Sequence, residues 1–518
     1  MWLHASIQYL PDVIRYHARQ APDKVALIDQ RKTYSYREMD LRSNQVANGL
    51  IQANARPGDV IGFLGKNSLA VFESLFGAGK AGCTFLPLNW RLTPAELAQV
   101  IDDAQPLIIF AEHECLAQLE AACKISQRSV RIEPFDVAAG LTSFCSGQGD
   151  IDPGVEVSPR DVALLIYTSG TTGKPKGVEL THQSISHMRL CEHLEPSYQW
   201  LASDILVMAM PNFHLLGLSV PIQALYSQAT VTLMPALDVG KLLQMIAQDR
   251  PTMLVLAPTA IQMLLDHPDA KTTDFSSIRQ VIYAGSAITA HLLKRAIKEM
   301  QCEFMQFYGA TESGGAITIL RPDQHDLVHE EKLKSCGTPL PLTEVSIVDA
   351  NGQPCPDGEI GELLVRTPAN FRGYRNQPEA TAAALHDGWY RTGDAGYRAS
   401  DGLLYLVDRV KDMIVTGGEN VYSTEVEQAL AKHPAVAMSA VVGLPDAHWG
   451  EMVSAVVVLK AGHQASEEEL VKHCRQLIAG YKVPKRICFD NALPTSPAGK
   501  VLKRLLRDTL QSKLQSAA

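Results

Sequence analysis

The stretch VALLIYTSGTTGKPKGV, residues 162–178, runs an unbroken apolar segment straight into a loop with three glycines, four aliphatic hydroxyls and two lysines. Val162–Ile166 has the length and apolarity of a buried strand, and a loop so rich in glycine, serine and threonine cannot continue it. Glycines let backbone N–H groups crowd around anionic oxygens, hydroxyls donate further hydrogen bonds, and lysines supply countercharge, so polyphosphate is the natural guest. The loop is not a Walker A loop. Lys174 is followed by Pro175, which offers no magnesium-binding hydroxyl and disfavours helix at Lys174. Read without context, the same residues also suit a flexible polar hairpin.

Outward from this stretch, apolar runs at Leu107–Ala111, Ile205–Met210, Ala229–Met234, Met253–Ala257 and Gln280–Ala284 are each followed by a polar turn and a helical segment. That alternation predicts a large layered α/β domain. Near residue 340 the texture shifts to short strands such as VSIVD, GELLV and GLLYLVDR, separated by Asn-Gly and Asp-Gly turns. After Lys411 a small α+β unit is expected, with one helix opening at Thr424 under a Glu427 capping box and a second capped by Ser466. The expected division is 1–409, with a β-rich subdomain at about 338–409, a hinge at 410–412, and a mobile domain at 413–518.

A chain of 518 residues is too long for one core. The 47 basic against 56 acidic residues give a formal net charge of −9, which argues against broad nucleic-acid or anionic-membrane binding. The ten cysteines contain no C-x-x-C pair and no zinc spacing, so they read as thiols of a reducing compartment. The longest apolar region, Ile205–Tyr226, is broken by Pro211, Asn212, His214 and Pro221 and is a poor membrane span. No secretion signal is evident at the N-terminus, and a cytoplasmic location is expected.

Five further motifs stand in order: MPNFH at 210–214, QFYGATE at 306–312, YRTGD at 390–394, DRVKDMIVTGGENVYSTEVE at 408–427 and PTSPAGKVLK at 494–503. With residues 167–178 they resemble the adenylate-forming (ANL) superfamily, on its branch of acyl-CoA synthetases, the fatty- and aryl-acid CoA ligases. The resemblance spans nearly the whole chain. It implies a large α/β domain with a β-rich subdomain, followed by a small mobile α+β domain. It also implies ATP, Mg²⁺ and coenzyme A as cofactor and cosubstrates, with a small carboxylic acid as partner.

A carboxylate resists thiol attack because its charge repels nucleophiles and oxide is a poor leaving group. Making it an acyl adenylate first requires that two anions be brought together and screened. The resemblance gives that screening to Lys500, and gives Mg²⁺ to Glu312 and Thr168. The nucleotide falls to Thr168, Ser169, Gly170, Thr171, Thr172, Gly173, Lys174 and Lys176, with Gly285, Ser286 and the segment Gln306, Phe307, Tyr308, Gly309, Ala310 and Thr311. Tyr308 is expected on adenine, and Asp394 with Arg409 on the ribose. Lys411 takes the hinge position about which the small domain swings between two half-reactions. Gly417, Gly418, Trp449 and Lys485 are the implied CoA contacts, with Val483 where some relatives carry a basic residue.

The acid pocket is expected at Phe213, His214, Leu218, Gly285, Gly309, Gly314 and Gly315. Apart from His214 and Glu312 the segments forming it carry no charge, so an uncharged fatty, alicyclic or aryl tail is implied, with the glycines leaving room for it. His214 replaces the aspartate that amino-acid-activating relatives carry after this phenylalanine, which disfavours an amino-acid substrate. Two alternatives stand beside an acid–CoA ligase: an enzyme loading a carrier-protein thiol, and a non-catalytic nucleotide sensor. The residues are compatible with a homodimer, with no nucleic-acid partner and no stable membrane insertion.

Overall fold

The apolar runs become strands where glycine, proline and asparagine turns bound them. The computed structural model describes residues 3–29, 32–168, 175–417, 419–446, 449–495 and 501–517. The chain is mixed α/β, as expected, with a large N-terminal domain and a smaller C-terminal one. It divides into two compact units, Met1–Val345 with Val365–Tyr390, and Ser346–Leu364 with Arg391–Ala518.

Among the described residues the first unit holds a nine-stranded and a seven-stranded sheet. In the smaller sheet Val162–Thr168, Thr84–Leu88, Val60–Leu64, Ile108–Glu112 and Arg131–Phe135 are parallel neighbours in that order. Lys176–Thr181 turns back antiparallel on Val162–Thr168, and Gly373–Tyr374 pairs with its far side. In the larger sheet Glu303–Ala310, Gln280–Ala284, Met253–Leu256, Ile205–Met208, Thr230–Leu233 and Val25–Asp29 run parallel, and Gly315–Leu320 folds back on Glu303–Ala310. Parallel strands are covered on both faces, so they read as continuous apolar runs. Met253–Leu256 and Gln280–Ala284 are buried at every position.

Helix Leu69–Lys80 is likewise buried at every residue, so its two charges need internal partners. Glu73 accepts from the Tyr34 hydroxyl at 2.8 Å, Arg42 Nε at 2.9 Å and the Leu141 N–H at 3.1 Å. Lys80 donates to Asp40 Oδ1 at 2.5 Å and Asn44 Oδ1 at 2.6 Å. Each buried charge is thereby paired inside the layer. All ten cysteines are free thiols. Among the described residues no helix is long and apolar enough to cross a membrane.

In the second unit a sheet runs in the order Glu419–Val421, Ile414–Thr416, Gly450–Leu459, Val436–Asp446, with Arg486–Phe489 parallel to Gly450–Leu459. Its strands alternate faces with period two. Val441, Val453, Ala455 and Val457 pack with helices Ser423–Ala431 and Glu467–Arg475, whereas Ala440, Val442, Leu444 and Val456 pack with Leu506 and Leu510 of helix Lys503–Ala517. Ser466 caps its helix through the Glu469 N–H, as expected. The Glu427 capping box does not form. Helix Ser423–Ala431 starts after Tyr422 with no side-chain cap, and Glu427 Oε1 instead takes the Val441 N–H and Lys503 Nζ, each at 2.8 Å. A tertiary cation competes successfully for that carboxylate.

Candidate active site

Thr168 ends its strand directly opposite Lys176 across the glycine loop, so the loop closes a β-hairpin. Ser169, Gly170, Thr171, Thr172, Gly173 and Lys174 lie outside the described residues. Tyr167, which begins the motif, does not turn toward the loop. Its hydroxyl donates to Asp103 Oδ2 at 2.5 Å and burial pushes its phenol far above the usual range. Its ring covers Gly177, where an added Cβ would stand 2.9 Å from Tyr167 Cζ. The hairpin base is thereby pinned to helix Pro94–Ala104, leaving Thr168 and Lys176 at its mouth.

Glu312 lies in the turn between Glu303–Ala310 and Gly315–Leu320. Its Oε1 accepts from the Tyr374 hydroxyl at 2.9 Å, and its carbonyl accepts the Phe371 N–H at 2.8 Å. Burial, then the adjacent Glu312 charge, hold the Tyr374 phenol protonated far above its usual range. Tyr374 also pairs in sheet register with Val178, and Lys176 Nζ sits 4.6 Å from its ring centroid. One tyrosine therefore joins hairpin and carboxylate. It was missed in the sequence because Phe371–Tyr374 lies about sixty residues beyond Glu312 and no local pattern marks it. The Glu312 carboxylate, oriented by a neutral hydroxyl, and the Thr168 hydroxyl are each hard oxygens of the kind Mg²⁺ takes.

Tyr308 faces Thr318 across the antiparallel pair. Gln306 and Phe307 are in parallel register with Tyr283 and Ala284, which brings Gly285 and Ser286, just past that strand, toward Tyr308. Gly285 has φ +90° and nothing within 4 Å of where a Cβ would stand. The other glycines need correction. A Cβ on Gly309 would lie 2.0 Å from the Gly315 carbonyl oxygen, and one on Gly314, at φ +72°, 2.4 Å from that of Ala369. They let backbone approach backbone and leave no room for a guest. Gly315 meets only a side chain, with Met188 Cγ 3.4 Å from its added Cβ.

Phe213 and His214 are carried by a loop locked from both sides. Asn67 Nδ2 donates to the Met210 and Met234 carbonyls, Asn67 Oδ1 accepts the Asn212 N–H, and Asn212 Nδ2 donates to the Gly65 carbonyl, all within 3.0 Å. His214 precedes helix Leu215–Tyr226 as its N-cap residue, with its ring 4.6 Å from that of Phe213. Gly217 allows the approach, since an added Cβ would be 2.0 Å from the Pro211 carbonyl oxygen. Leu218 is fully buried beside this loop.

In the second unit Asp394 and Arg409 stand opposite each other on antiparallel strands, with Arg409 Nε 2.6 Å from Asp394 Oδ1. Asp394 is buried and Arg409 half-exposed, so an acceptor and a donor are presented as a pair. Lys411 sits in the turn Val410–Asp412. Partial desolvation holds its ammonium below the usual lysine range, with the pull of Asp412 opposed by Arg409 and Arg507. Gly417, at φ +60°, donates its N–H to the Trp449 carbonyl at 2.8 Å and lies under the indole, and Lys485 Nζ is 5.8 Å from the Trp449 ring. Three of the four expected CoA residues thus share one surface, and the indole itself explains Gly417. Val483 is buried in the core. Gly418 and Lys500 lie outside the described residues. Three residues past Lys500, Lys503 is anchored to Glu427 at 2.8 Å and to Ser423, whose hydroxyl donates to Asp408 Oδ2 at 2.5 Å.

Residues 14–375 match the profile of the AMP-binding enzymes, and residues 425–500 that of the AMP-binding enzyme C-terminal domain. The chain is 38% identical to a feruloyl-CoA synthase of Amycolatopsis sp. over 95% of its length and 96% of the relative's. It is 35% identical to the fatty acid–[acyl-carrier-protein] ligase ScoC of Streptomyces coeruleorubidus over 98% and 97%. The ATP-bound crystal structure of MatB from Rhodopseudomonas palustris superposes with a TM-score of 0.87 at 29% identity, covering 96% of this chain and 99% of that one. The chain belongs to the AMP-binding enzymes of the adenylate-forming ANL superfamily, in the family of acyl- and aryl-CoA ligases.

Proposed function

We propose that the protein is an ATP-dependent acid–CoA ligase that converts a carboxylic acid and ATP to an acyl adenylate and pyrophosphate, then passes the acyl group to CoA, releasing AMP. The observation that carries this reading is the Lys176–Tyr374–Glu312 arrangement beside the paired strand ends Thr168 and Lys176, which sets a cation and a hydroxyl-held carboxylate where the glycine- and hydroxyl-rich segment leaves and rejoins the sheet. Glu312 and Thr168 would hold Mg²⁺, which when bound screens the triphosphate charge. Tyr374 fixes the Glu312 carboxylate for that purpose. Tyr308 offers a face to adenine, and Asp394 with Arg409 suits two vicinal ribose hydroxyls. Phe213 and His214 orient the acid, whose tail is fatty, alicyclic or aryl. Lys500 bridges the carboxylate and the α-phosphate and stabilises charge as the anhydride forms.

After pyrophosphate leaves, the domain from residue 413 onward turns about Val410–Asp412, Lys500 withdraws, and Gly417, Gly418, Trp449 and Lys485 come to serve CoA. The domain division at 409 and 413 belongs to this proposal. A second reading, transfer to a carrier-protein thiol, is favoured by the name of the ScoC relative. Pyrophosphate release across an acid panel, followed by thioester formation with CoA or with an acyl carrier protein, tests both. Thioester with the carrier alone would reject CoA as acceptor, and ATP binding with no pyrophosphate from any acid would reject ligation.

A further inference from the structure

Helix Leu215–Tyr226, which begins at the His214 loop, turns one face toward helix His182–His193. Ser219, Gln223 and Tyr226 share that face by the i, i+4, i+7 rule. The Ser219 carbonyl accepts Arg189 Nη1, and the Arg189 charge bears on the Tyr226 phenol, so guanidinium and face are neighbours. Arg189 and Glu192 form an ion pair at 3.0 Å with 3% and 6% of their side chains exposed. Arg189 Nε, Gln223 Oε1 and Tyr226 Oη have no hydrogen-bond partner among the described residues, and neither do Glu192 Oε2 of the pair itself and Tyr198 Oη, on which both charges of the pair bear. Arg189, Gln223 and Tyr226 are 3%, 1% and 0% exposed.

One such atom is ordinary. Three from two facing helices, beside a buried ion pair, are costly unless a buried water or the hydroxyl of a guest pairs with them. Their place says which guest. Met188, the residue before Arg189, faces Gly315 of the expected acid pocket, and Leu218 precedes Ser219. At a helical rise of about 1.5 Å per residue, Ser219, Gln223 and Tyr226 lie roughly 7, 13 and 18 Å along the axis from His214. That is where the far end of an acid would stand if His214 faces its carboxyl end.

We infer that Arg189, Gln223 and Tyr226 form a polar terminus to the acid pocket, specific for an acid whose distal end carries a neutral hydroxyl. This rests on the ligase reading above. Arg189 Nε can only donate, Gln223 Oε1 can only accept and the Tyr226 phenol can do either, and a hydroxyl is the smallest group that answers all three. Glu192, already 3.0 Å from the guanidinium, is the carboxyl partner of that cation, so the site has no need of a second carboxylate. A methyl in place of the hydroxyl would leave the three atoms unpaired, the situation in which enzymes discriminate most strongly.

The test uses the full-length enzyme and pyrophosphate release with matched acids. These are 3-phenylpropenoic acid carrying a 4-hydroxyl or a 4-methyl group, and 8-hydroxyoctanoic acid against nonanoic and octanedioic acids. The hydroxyl member of at least one series should exceed its methyl partner in kcat/KM by about tenfold or more. That ratio should fall toward one in Gln223→Leu and Tyr226→Phe. Equal use of hydroxyl and methyl acids by the wild type, preference for octanedioic acid, or an unchanged ratio in both variants would overturn the inference while leaving ligation intact. No pyrophosphate from any acid would instead defeat the ligase reading on which it stands.

Discussion

Tyr374 carries more of the site than its position in the chain suggests. Removing its hydroxyl leaves Glu312 without the donor that orients it, and a hydrogen bond to a charged group contributes about 1.5–3 kcal/mol. Tyr374→Phe should therefore lower kcat for adenylate formation by about tenfold or more and raise the Mg²⁺ concentration needed for half-maximal rate. Pyrophosphate exchange against a magnesium titration reads both. Lys500→Ala should abolish that exchange yet still form thioester from supplied acyl adenylate and CoA. Loss of both steps alike would remove Lys500 from its bridging role. Glu312, Asp394 and Arg409 were legible as single letters inside motifs. Tyr374, Asn67 and Asn212 were not, because each acts through a partner some sixty or more residues away, and short-range pattern carries no such information.

At the scale of elements, helix Leu215–Tyr226 depends on the close approach at Gly217. Gly217→Ala places a methyl carbon 2.0 Å from the Pro211 carbonyl oxygen, so the Phe213–His214 loop must shift. We expect a loss of about 1–3 kcal/mol in stability and a raised KM for the acid with little change in KM for ATP, read by thermal unfolding and steady-state kinetics. Helix His182–His193 gives a pH signature. Burial pushes the Glu192 carboxyl up to about 7 against the pull of Arg189. Its folded pKa thus exceeds its unfolded one, so between the two the folded state holds the extra proton and stability falls as pH rises. Wild-type Tm relative to Glu192→Gln should decline from about pH 4.5 to 7 and level above that window. A constant difference across it would show Glu192 ionised throughout.

At the scale of the whole molecule, the proposed turn of the domain from residue 413 onward separates the two half-reactions. Gly418→Leu should slow acyl transfer to CoA while pyrophosphate exchange continues, the reverse of Lys500→Ala. A CoA-dependence assay on preformed adenylate compares them, and equal loss of both steps in each variant would contradict a turn about Val410–Asp412. Strand membership belongs to this scale too. Val25–Asp29 and Val60–Leu64 follow one another in the same α/β rhythm, yet one pairs with Thr230–Leu233 in the nine-stranded sheet and the other with Thr84–Leu88 in the seven-stranded sheet. Nothing in either pentapeptide distinguishes them, since both are apolar runs bounded by polar turns.

Class, strand periodicity and the ordered motifs could be read from the chain alone, because turn chemistry, apolar period and a glycine-hydroxyl loop are local properties. Tertiary structure decided why Gly309 and Gly314 are glycine, which cation claims Glu427, and that polar atoms of Arg189, Gln223 and Tyr226 are buried without a partner among the described residues. Those outcomes depend on contacts between segments far apart in sequence, and a close approach or an unpaired buried atom exists only once the backbone has been packed.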